Sequence, residues 1–477
     1  MLKNFSKDVF IYGAGLVAVK AVSIIALPLI TSFYSIEEIG VIELVNAFIS
    51  IAILFVVLNV DTAVTYYYWD SVSNENLQRE YFSTSLVFVL FTSIVAIAGI
   101  ILLHPVFVSV YYKQNIQVGA GLIAGTTVIH AVYLYFIKLL RLQRKTLSYN
   151  IVSFTFSITF LGFLFIFLNV LGRVNLNSYF ISNALALFLA LLISVFKSRH
   201  SFASRLSFSH LKNLLNYSIP LVPFSIATVL MRATDKWFIN FYQGTSDVGV
   251  YSIAGRLSHI IVIFISAFSM TYGPFSMSIK DKKSSSHIYS VILNIYVFAS
   301  LLLVLLIQFS AKLLTGIFVR NYVLEESVVP VFGVIALGSF VHSLYGQLGV
   351  GLHITRNTKY ISFGSMIALA INIVSNIYFV KVYGMLGAAI STLISYAVVA
   401  IWIVFISNRF YKIRYDFFYL FVLFAIFSTN LVFFYFWISC HSTVFLLLLI
   451  LSFIAFMFFS LRKIKEARSV FTNGNAF

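Results

Sequence analysis

Three ionisable side chains lie within five residues of the apolar stretch LVPFSIATVLMRATDKWFINFY, namely Arg232, Asp235 and Lys236. Their spacings of three and four residues place them on one face of a helix. Guanidinium and ammonium groups pair strongly with phosphate and carboxylate oxygens, which offsets the loss of their hydration. This face therefore predicts anion binding, with a local Arg232–Asp235 ion pair as the structural alternative.

Two further basic residues, Lys20 and Arg256, also lie inside apolar segments. A charge at the centre of a membrane helix costs ~2.5–3.5 kcal/mol on insertion scales, so such groups normally face a cavity or the protein interior. We therefore predict that Lys20 and Arg256 join Arg232 and Lys236 in one cationic cavity. Subtracting Asp235 leaves this cavity a net charge of roughly +3.

Acidic residues inside apolar segments are fewer, and Asp61 and Glu43 lie near opposite ends of the second segment. Asp61 and Asp235 are interpreted as coupling-ion sites for Na⁺ or H⁺, or as members of structural ion pairs. The only cysteine, Cys440, excludes an intrachain disulfide and a thiolate metal cluster. We see no paired carboxylates for glycosyl chemistry, so no catalytic residue, metal site or cofactor is predicted and the chain is not expected to be an enzyme.

The amino-acid composition indicates that these charged residues lie in a membrane protein. Of 477 residues, 61% are hydrophobic and 10% are charged, whereas soluble domains are about half apolar and a quarter charged. One helix needs about 20 apolar residues to cross a bilayer. The sequence thus predicts an all-α polytopic membrane protein with about fourteen transmembrane helices, near residues 9–32, 40–67, 83–103, 118–140, 149–169, 178–196, 214–242, 249–275, 288–309, 327–352, 360–380, 386–407, 416–437 and 442–461.

Lysine and arginine are distributed unevenly between alternate loops. With a cytoplasmic N-terminus, 23 of the 32 basic residues fall on the cytoplasmic side and 5 on the outer side. Cytoplasmic loops of membrane proteins are enriched in these residues, so both termini are predicted to be cytoplasmic. The same bias accounts for the net charge of +17 without a nucleic-acid partner.

An internal repeat is visible at a nearly constant offset. FYSIEEIGV at 33–41 matches FYQGTSDVGV at 241–250, which sets Gly40 and Gly249 209 residues apart. Two other pairs are 212 residues apart, Arg144 with Arg356 and Gly172 with Gly384. Because six spans separate the copies, both enter the membrane from the same side, and the repeats are parallel.

The repeat predicts two parallel six-helix lobes followed by two C-terminal helices. The predicted boundaries are 1–200 for the N-lobe, 201–407 for the C-lobe, and 408–477 for the last two spans and a cytoplasmic tail. Lobes of this kind rock against each other around a central substrate site. Separately, the small-xxx-small pair Gly121 and Gly125 predicts close helix packing in the fourth span.

Three segments together resemble a known family over nearly the full length of the chain. They are LPLITSFYSIEEIGVIEL, INFYQGTSDVGVYSIAGRL and YGMLGAAISTLISY. In these turn and glycine patterns the chain resembles the Wzx-type polysaccharide (O-antigen or capsule repeat-unit) flippases of the multidrug/oligosaccharidyl-lipid/polysaccharide (MOP) exporter superfamily. The resemblance implies a MATE-like fold and alternating access.

The resemblance further implies a substrate and a location. The substrate is an undecaprenyl-pyrophosphate-linked oligosaccharide, moved from the cytoplasmic to the outer leaflet of the bacterial inner membrane. A pyrophosphate with about two negative charges suits the predicted cationic cavity. The implied partners are membrane lipids, a polysaccharide polymerase and a chain-length regulator. Two alternatives stay open: a MATE-like cation-coupled multidrug exporter, whose cationic drugs favour an acidic cavity, and a membrane oligosaccharide polymerase, which is expected to have larger outer loops.

Overall fold

The computed structural model describes residues 22–472 apart from the segments 72–73, 112–117, 144, 203–205, 281–284, 320–327, 356, 358 and 441–442. Every regular element in the described part of the chain is a helix, which confirms the predicted all-α class. In the first half the helices are α1 (Val22–Phe33), α2 (Ile36–Val57), α3 (Val60–Asp70), α4 (Glu75–Tyr111), α5 (Ala120–Leu142), α6 (Thr146–Phe165), α7 (Leu176–Ser198), α8 (Phe208–Ser218) and α9 (Val222–Tyr242). In the second half they are α10 (Thr245–Ser258), α11 (Ile260–Ser278), α12 (Ser285–Phe318), α13 (Val329–Leu348), α14 (Val350–Ile354), α15 (Lys359–Phe410), α16 (Phe417–Cys440) and α17 (Thr443–Thr472).

Twelve helical stretches of the described residues are long and apolar enough to cross a membrane. The difference between these twelve stretches and the fourteen predicted segments has two causes. The 52-residue α15 contains two predicted segments, separated at Gly384, where φ is 58° and ψ is −134°. The first predicted segment is described only from Val22 and therefore appears as the shorter α1. The chain is a multi-pass membrane protein.

The second predicted segment is interrupted rather than continuous. Leu58 and Asn59 adopt left-handed backbone with φ of 45° and 57° and separate α2 from α3. This conformation costs a residue other than glycine roughly 1–2 kcal/mol. Polar groups near the break find partners on neighbouring helices: the Thr92 hydroxyl lies 2.6 Å from the Val56 carbonyl oxygen, and Ser225 donates to the Asn59 side chain at 2.9 Å.

By packing, the chain divides into two compact units, residues 1–252 and 253–477, with the boundary inside α10. In the first unit α2 packs against α4, α5 and α9, while α5, α6 and α7 enclose an apolar cluster that includes Tyr133, Leu140 and Leu187. In the second unit α13 packs against α11, α12 and α15. The lobe boundaries derived from the repeat stay a prediction.

The two repeat-related turns contact each other within the first unit. A Cβ atom added to Gly40 would lie 1.9 Å from the carbonyl oxygen of Thr245, and one added to Gly249 would lie 2.0 Å from that of Ile36. Ile36 is four residues before Gly40, and Thr245 is four residues before Gly249. The contact is therefore reciprocal, and the absence of side chains at both glycines allows the first turns of α2 and α10 to touch.

Candidate functional site

Helix α9 carries three of the predicted site residues and is placed by its own N-terminal sequence. Pro220 lies in a single 3₁₀ turn, Ile219–Leu221, and Pro223 lies in the first turn of α9. Proline is accepted there because the first amides of a helix have no intrahelical acceptor. From this start α9 runs along α2 and packs against it.

The contact between α9 and α2 contains an ion pair. The ammonium nitrogen of Lys236 lies 2.5 Å from Oε2 of Glu43, and the two side chains are only 21% and 10% exposed. Glu43 follows Gly40 by one turn, so the pair lies close to the reciprocal glycine contact. Breaking a buried pair by removing one member leaves an uncompensated charge, which is strongly unfavourable. Lys236 and Glu43 therefore hold α9 and α2 together in this structure.

The other two charged residues of α9 differ in their surroundings. Asp235 is buried, and its Oδ2 accepts a hydrogen bond of 2.9 Å from the hydroxyl of Tyr251 in α10. Arg232 is exposed, and its Nε donates to the carbonyl oxygen of Thr228 at 3.3 Å. Asp235 thus links α9 to α10, while the Arg232 side chain stays accessible.

The other two members of the predicted cationic cavity are Lys20 and Arg256. Lys20 lies outside the described residues. Arg256 is half-buried in α10 and belongs to the second unit. A cavity shared by Lys20, Arg232, Lys236 and Arg256 stays a prediction.

Asp61 is the second buried carboxylate that touches a lysine. It lies two residues after the interruption between α2 and α3, and its Oδ2 contacts the ammonium group of Lys138 in α5. Its Oδ1 accepts from the amide of Thr62 at 2.7 Å. The Asp61 side chain is 6% exposed, whereas that of Lys138 is 53% exposed. The carboxylate is therefore fixed, while the lysine remains within reach of solvent or ligand.

The sequence analysis missed both lysine–carboxylate pairs. Glu43 and Lys236 are 193 residues apart, and Asp61 and Lys138 are 77 apart, so no local spacing connects them. One usable signal was available. Opposite charges at similar depth in different apolar segments need partners, and Glu43 and Lys236 both lie in the outer halves of their predicted spans.

Among the described residues, no group of three or more His, Cys, Asp and Glu side chains is placed to hold a metal ion. Asp61 and Asp235 each have a protein partner instead, Lys138 and Tyr251.

The comparisons with known proteins agree with this architecture. A family model described as "Polysaccharide biosynthesis protein" matches residues 29–271, just over half of the 477 residues. The probable low-salt glycan biosynthesis flippase Agl15 of Haloferax volcanii is 26% identical over 197 residues, covering 40% of this chain and 41% of that protein. The aligned region thus spans less than half of this relative.

Solved structures match over most of the chain. The lipid II flippase MurJ in an inward closed conformation aligns with a TM-score of 0.70 and 14% identity over 97% of this chain and 99% of MurJ. An inward-facing multidrug resistance MATE family transporter of the MOP superfamily aligns with a TM-score of 0.64 and 13% identity over 82% of this chain and 94% of the transporter. At these identities the likeness shows the fold, and it confirms the MATE-like architecture.

Proposed function

We propose, from the premise that the chain belongs to the polysaccharide biosynthesis protein family, that it is a flippase for lipid-linked glycans. The expected resemblance to the MOP-superfamily flippases is confirmed by the family match and by the relatives. The proposed substrate is an undecaprenyl-pyrophosphate-linked oligosaccharide. We place its transfer from the cytoplasmic to the outer leaflet of a bacterial inner membrane, with both termini of the chain in the cytoplasm.

The observation that carries the proposal is the ion pair between Lys236 and Glu43. Charged groups inside apolar spans are expensive and mark substrate or ion pathways in membrane proteins. A lysine paired with a carboxylate can exchange that partner for a phosphate, because both are oxygen anions that accept charge-assisted hydrogen bonds from an ammonium group. Arg232, one turn before Lys236 and exposed, supplies a second cation on the same helix.

The proposed cycle follows from these charges. A diphosphate arriving at α9 is met by Arg232 and competes with Glu43 for Lys236, which loosens the contact between α9 and α2. The membrane potential contributes ~2.3 kcal/mol per charge per 100 mV. At 100 mV, outward movement of two negative charges across the full potential is therefore favourable by roughly 4–5 kcal/mol. Na⁺ or H⁺ coupling through Asp61 or Asp235 is a further proposed source of energy. A polysaccharide polymerase and a chain-length regulator are the proposed partners that remove the product.

A multidrug exporter is the alternative with the same fold. Cationic drugs need accessible acidic groups, whereas Glu43 and Asp61 each contact a lysine. An oligosaccharide polymerase is disfavoured because the relatives are named as flippases and transporters. Glycan transfer is therefore the better supported function.

The proposal is tested in the source bacterium after deletion of the gene. We expect loss of the surface glycan and accumulation of its lipid-linked precursor on the cytoplasmic leaflet. Complementation with Arg232→Ala, or with the double variant Glu43→Gln/Lys236→Gln that removes the ion pair without stranding a charge, should restore the inserted protein but less than about a tenth of the glycan display, since each variant removes a cation that pairs with phosphate. Glycan is measured by lectin or antibody binding, and insertion by the amount of protein in washed membranes.

The matched control is Lys381→Ala, which removes the same charge from an exposed position outside α9. It should complement as well as the wild type does. Normal display with both α9 variants would contradict the assigned roles, and unchanged glycan after deletion would contradict the proposed function.

A further inference from the structure

The exposed residues of helix α3 lie on one face of the helix. The residues between them are buried, as Ala63 is, or half-buried. The exposed positions follow the spacing i, i+3, i+4 and i+7, which lines one side of a helix. With Tyr217 of α8 they line an open cleft of about 440 Å³ within the first unit. We call it the α3 cleft; the α3 residues that line it are Thr62, Thr65, Tyr66 and Trp69.

Two aromatic rings of the cleft stack on each other, and Tyr67 supports them. Tyr66 stacks on Tyr217 with a centroid separation of 4.7 Å and an interplanar angle of 23°. Tyr67 contacts Tyr66 edge to face, stacks on Tyr81 of α4 at 4.8 Å, and donates to the carbonyl oxygen of Asn213 at 3.3 Å. The wall is therefore a prearranged aromatic surface joined to two other helices.

Polar groups stand beside these rings. Thr65 donates its hydroxyl to the carbonyl oxygen of Asp61 at 3.0 Å, and the Thr62 hydroxyl lies 3.4 Å from the Asp61 carboxylate. Both hydroxyl oxygens retain lone pairs that can accept from a ligand. The cleft thus combines aromatic faces with fixed hydroxyl groups.

Aromatic residues near a membrane boundary usually form an interfacial belt that anchors the protein in the lipid headgroups. A belt requires only that rings reach the interface. In the α3 cleft the rings instead line an open groove, and its volume of about 440 Å³ falls within the ~300–1,000 Å³ of small-molecule sites. The threonine hydroxyls on the same helix face add directional hydrogen bonding that a lipid belt does not need.

We propose that the α3 cleft binds a sugar ring of the lipid-linked glycan. The inference rests on the proposed function and adds a glycan subsite to it. A pyranose presents a face of C–H groups, which packs on the negative face of an aromatic ring, and an edge of hydroxyl groups, which needs donors and acceptors. Tyr66 and Trp69 supply the first surface, and the hydroxyl oxygens of Thr62 and Thr65 accept from sugar hydroxyl groups.

The test measures lipid binding by the full-length protein in nanodiscs. The probes are bare undecaprenyl pyrophosphate and the same lipid carrying N-acetylglucosamine, glucose or galactose. The wild type should bind at least one glycosylated probe roughly tenfold more tightly than the bare lipid. Trp69→Ala and Tyr66→Ala should abolish that preference while changing affinity for the bare lipid less than twofold, and Trp69→Phe should recover part of it.

Tyr435→Ala is the matched control, because Tyr435 is 55% exposed and Tyr66 is 48% exposed, and Tyr435 lies on α16 outside the cleft. It should retain the full preference for sugar. Equal binding of all probes by the wild type, or an unchanged preference in both cleft variants, overturns the glycan subsite and leaves the flippase proposal standing. Failure of the wild type to bind any lipid diphosphate overturns the proposed function itself.

Discussion

At the scale of single residues, the first unit contains two ion pairs between a lysine and a buried carboxylate. Lys236 with Glu43 and Lys138 with Asp61 each combine a buried acid with a lysine that is more exposed than the acid. An uncompensated charge is costly in an apolar surrounding, so each acid depends on its lysine. In both pairs the lysine is the member that a ligand can approach.

This dependence predicts the effect of neutralising one partner. Glu43→Gln leaves the half-buried Lys236 without its counter-ion, so it should lower the free energy of unfolding by roughly 1–3 kcal/mol. The double variant with Lys236→Gln should recover much of the loss. Thermal unfolding of the purified protein measures both effects.

The control is Glu75→Gln, which removes an exposed i,i+4 pair with Arg79. Such surface pairs contribute only ~0–1 kcal/mol. If Glu43→Gln and Glu75→Gln shift the melting temperature equally, the Lys236–Glu43 pair has no structural importance.

At the scale of helices, the sequence predicted the spans more successfully than their contacts. Length and apolar composition sufficed for the fourteen segments, but the close packing predicted for Gly121 and Gly125 is not found among the described residues. A Cβ atom at either would meet no atom of the described residues within 4 Å. The interruption at Leu58 and Asn59 was also missed, since left-handed backbone is normally signalled by glycine.

The close contact of α2 with α10 predicts a sharp response to added methyl groups. Gly40→Ala and Gly249→Ala should each separate the two helices, because the new carbon would overlap a carbonyl oxygen at about 2 Å. We expect a loss of thermal stability of roughly 1–3 kcal/mol, as for other overpacked positions. Gly125→Ala adds the same methyl group in a helix where space is available and should be neutral. Equal stability of all three variants would argue against the contact.

At the scale of the whole molecule, the sequence predicted the fold class because hydropathy and charge are properties of long segments. Ion pairs such as Asp61–Lys138 depend on which helices become neighbours, and one sequence does not state this. The internal repeat was the sequence feature most closely related to a tertiary contact. The turns matched at 33–41 and 241–250 also contact each other through Gly40 and Gly249.

The predicted orientation is tested by fusing reporters to truncated chains. Alkaline phosphatase, active only outside the cytoplasm, should be active after Gly172 and inactive after Lys282, because basic loops stay inside. A fluorescent protein that matures only in the cytoplasm should report the reverse at both sites. Agreement of the two sites on one side of the membrane would contradict the fourteen-span topology.

The interruption of the second span has one further consequence. Hydrocarbon chains can fill a gap between apolar helices, but they have no proton to offer a bare carbonyl oxygen. The oxygen of Val56 receives one from Thr92 of α4. Lipid chains therefore cannot replace this hydrogen bond, and we expect α2 and α4 to stay in contact at the level of Val56.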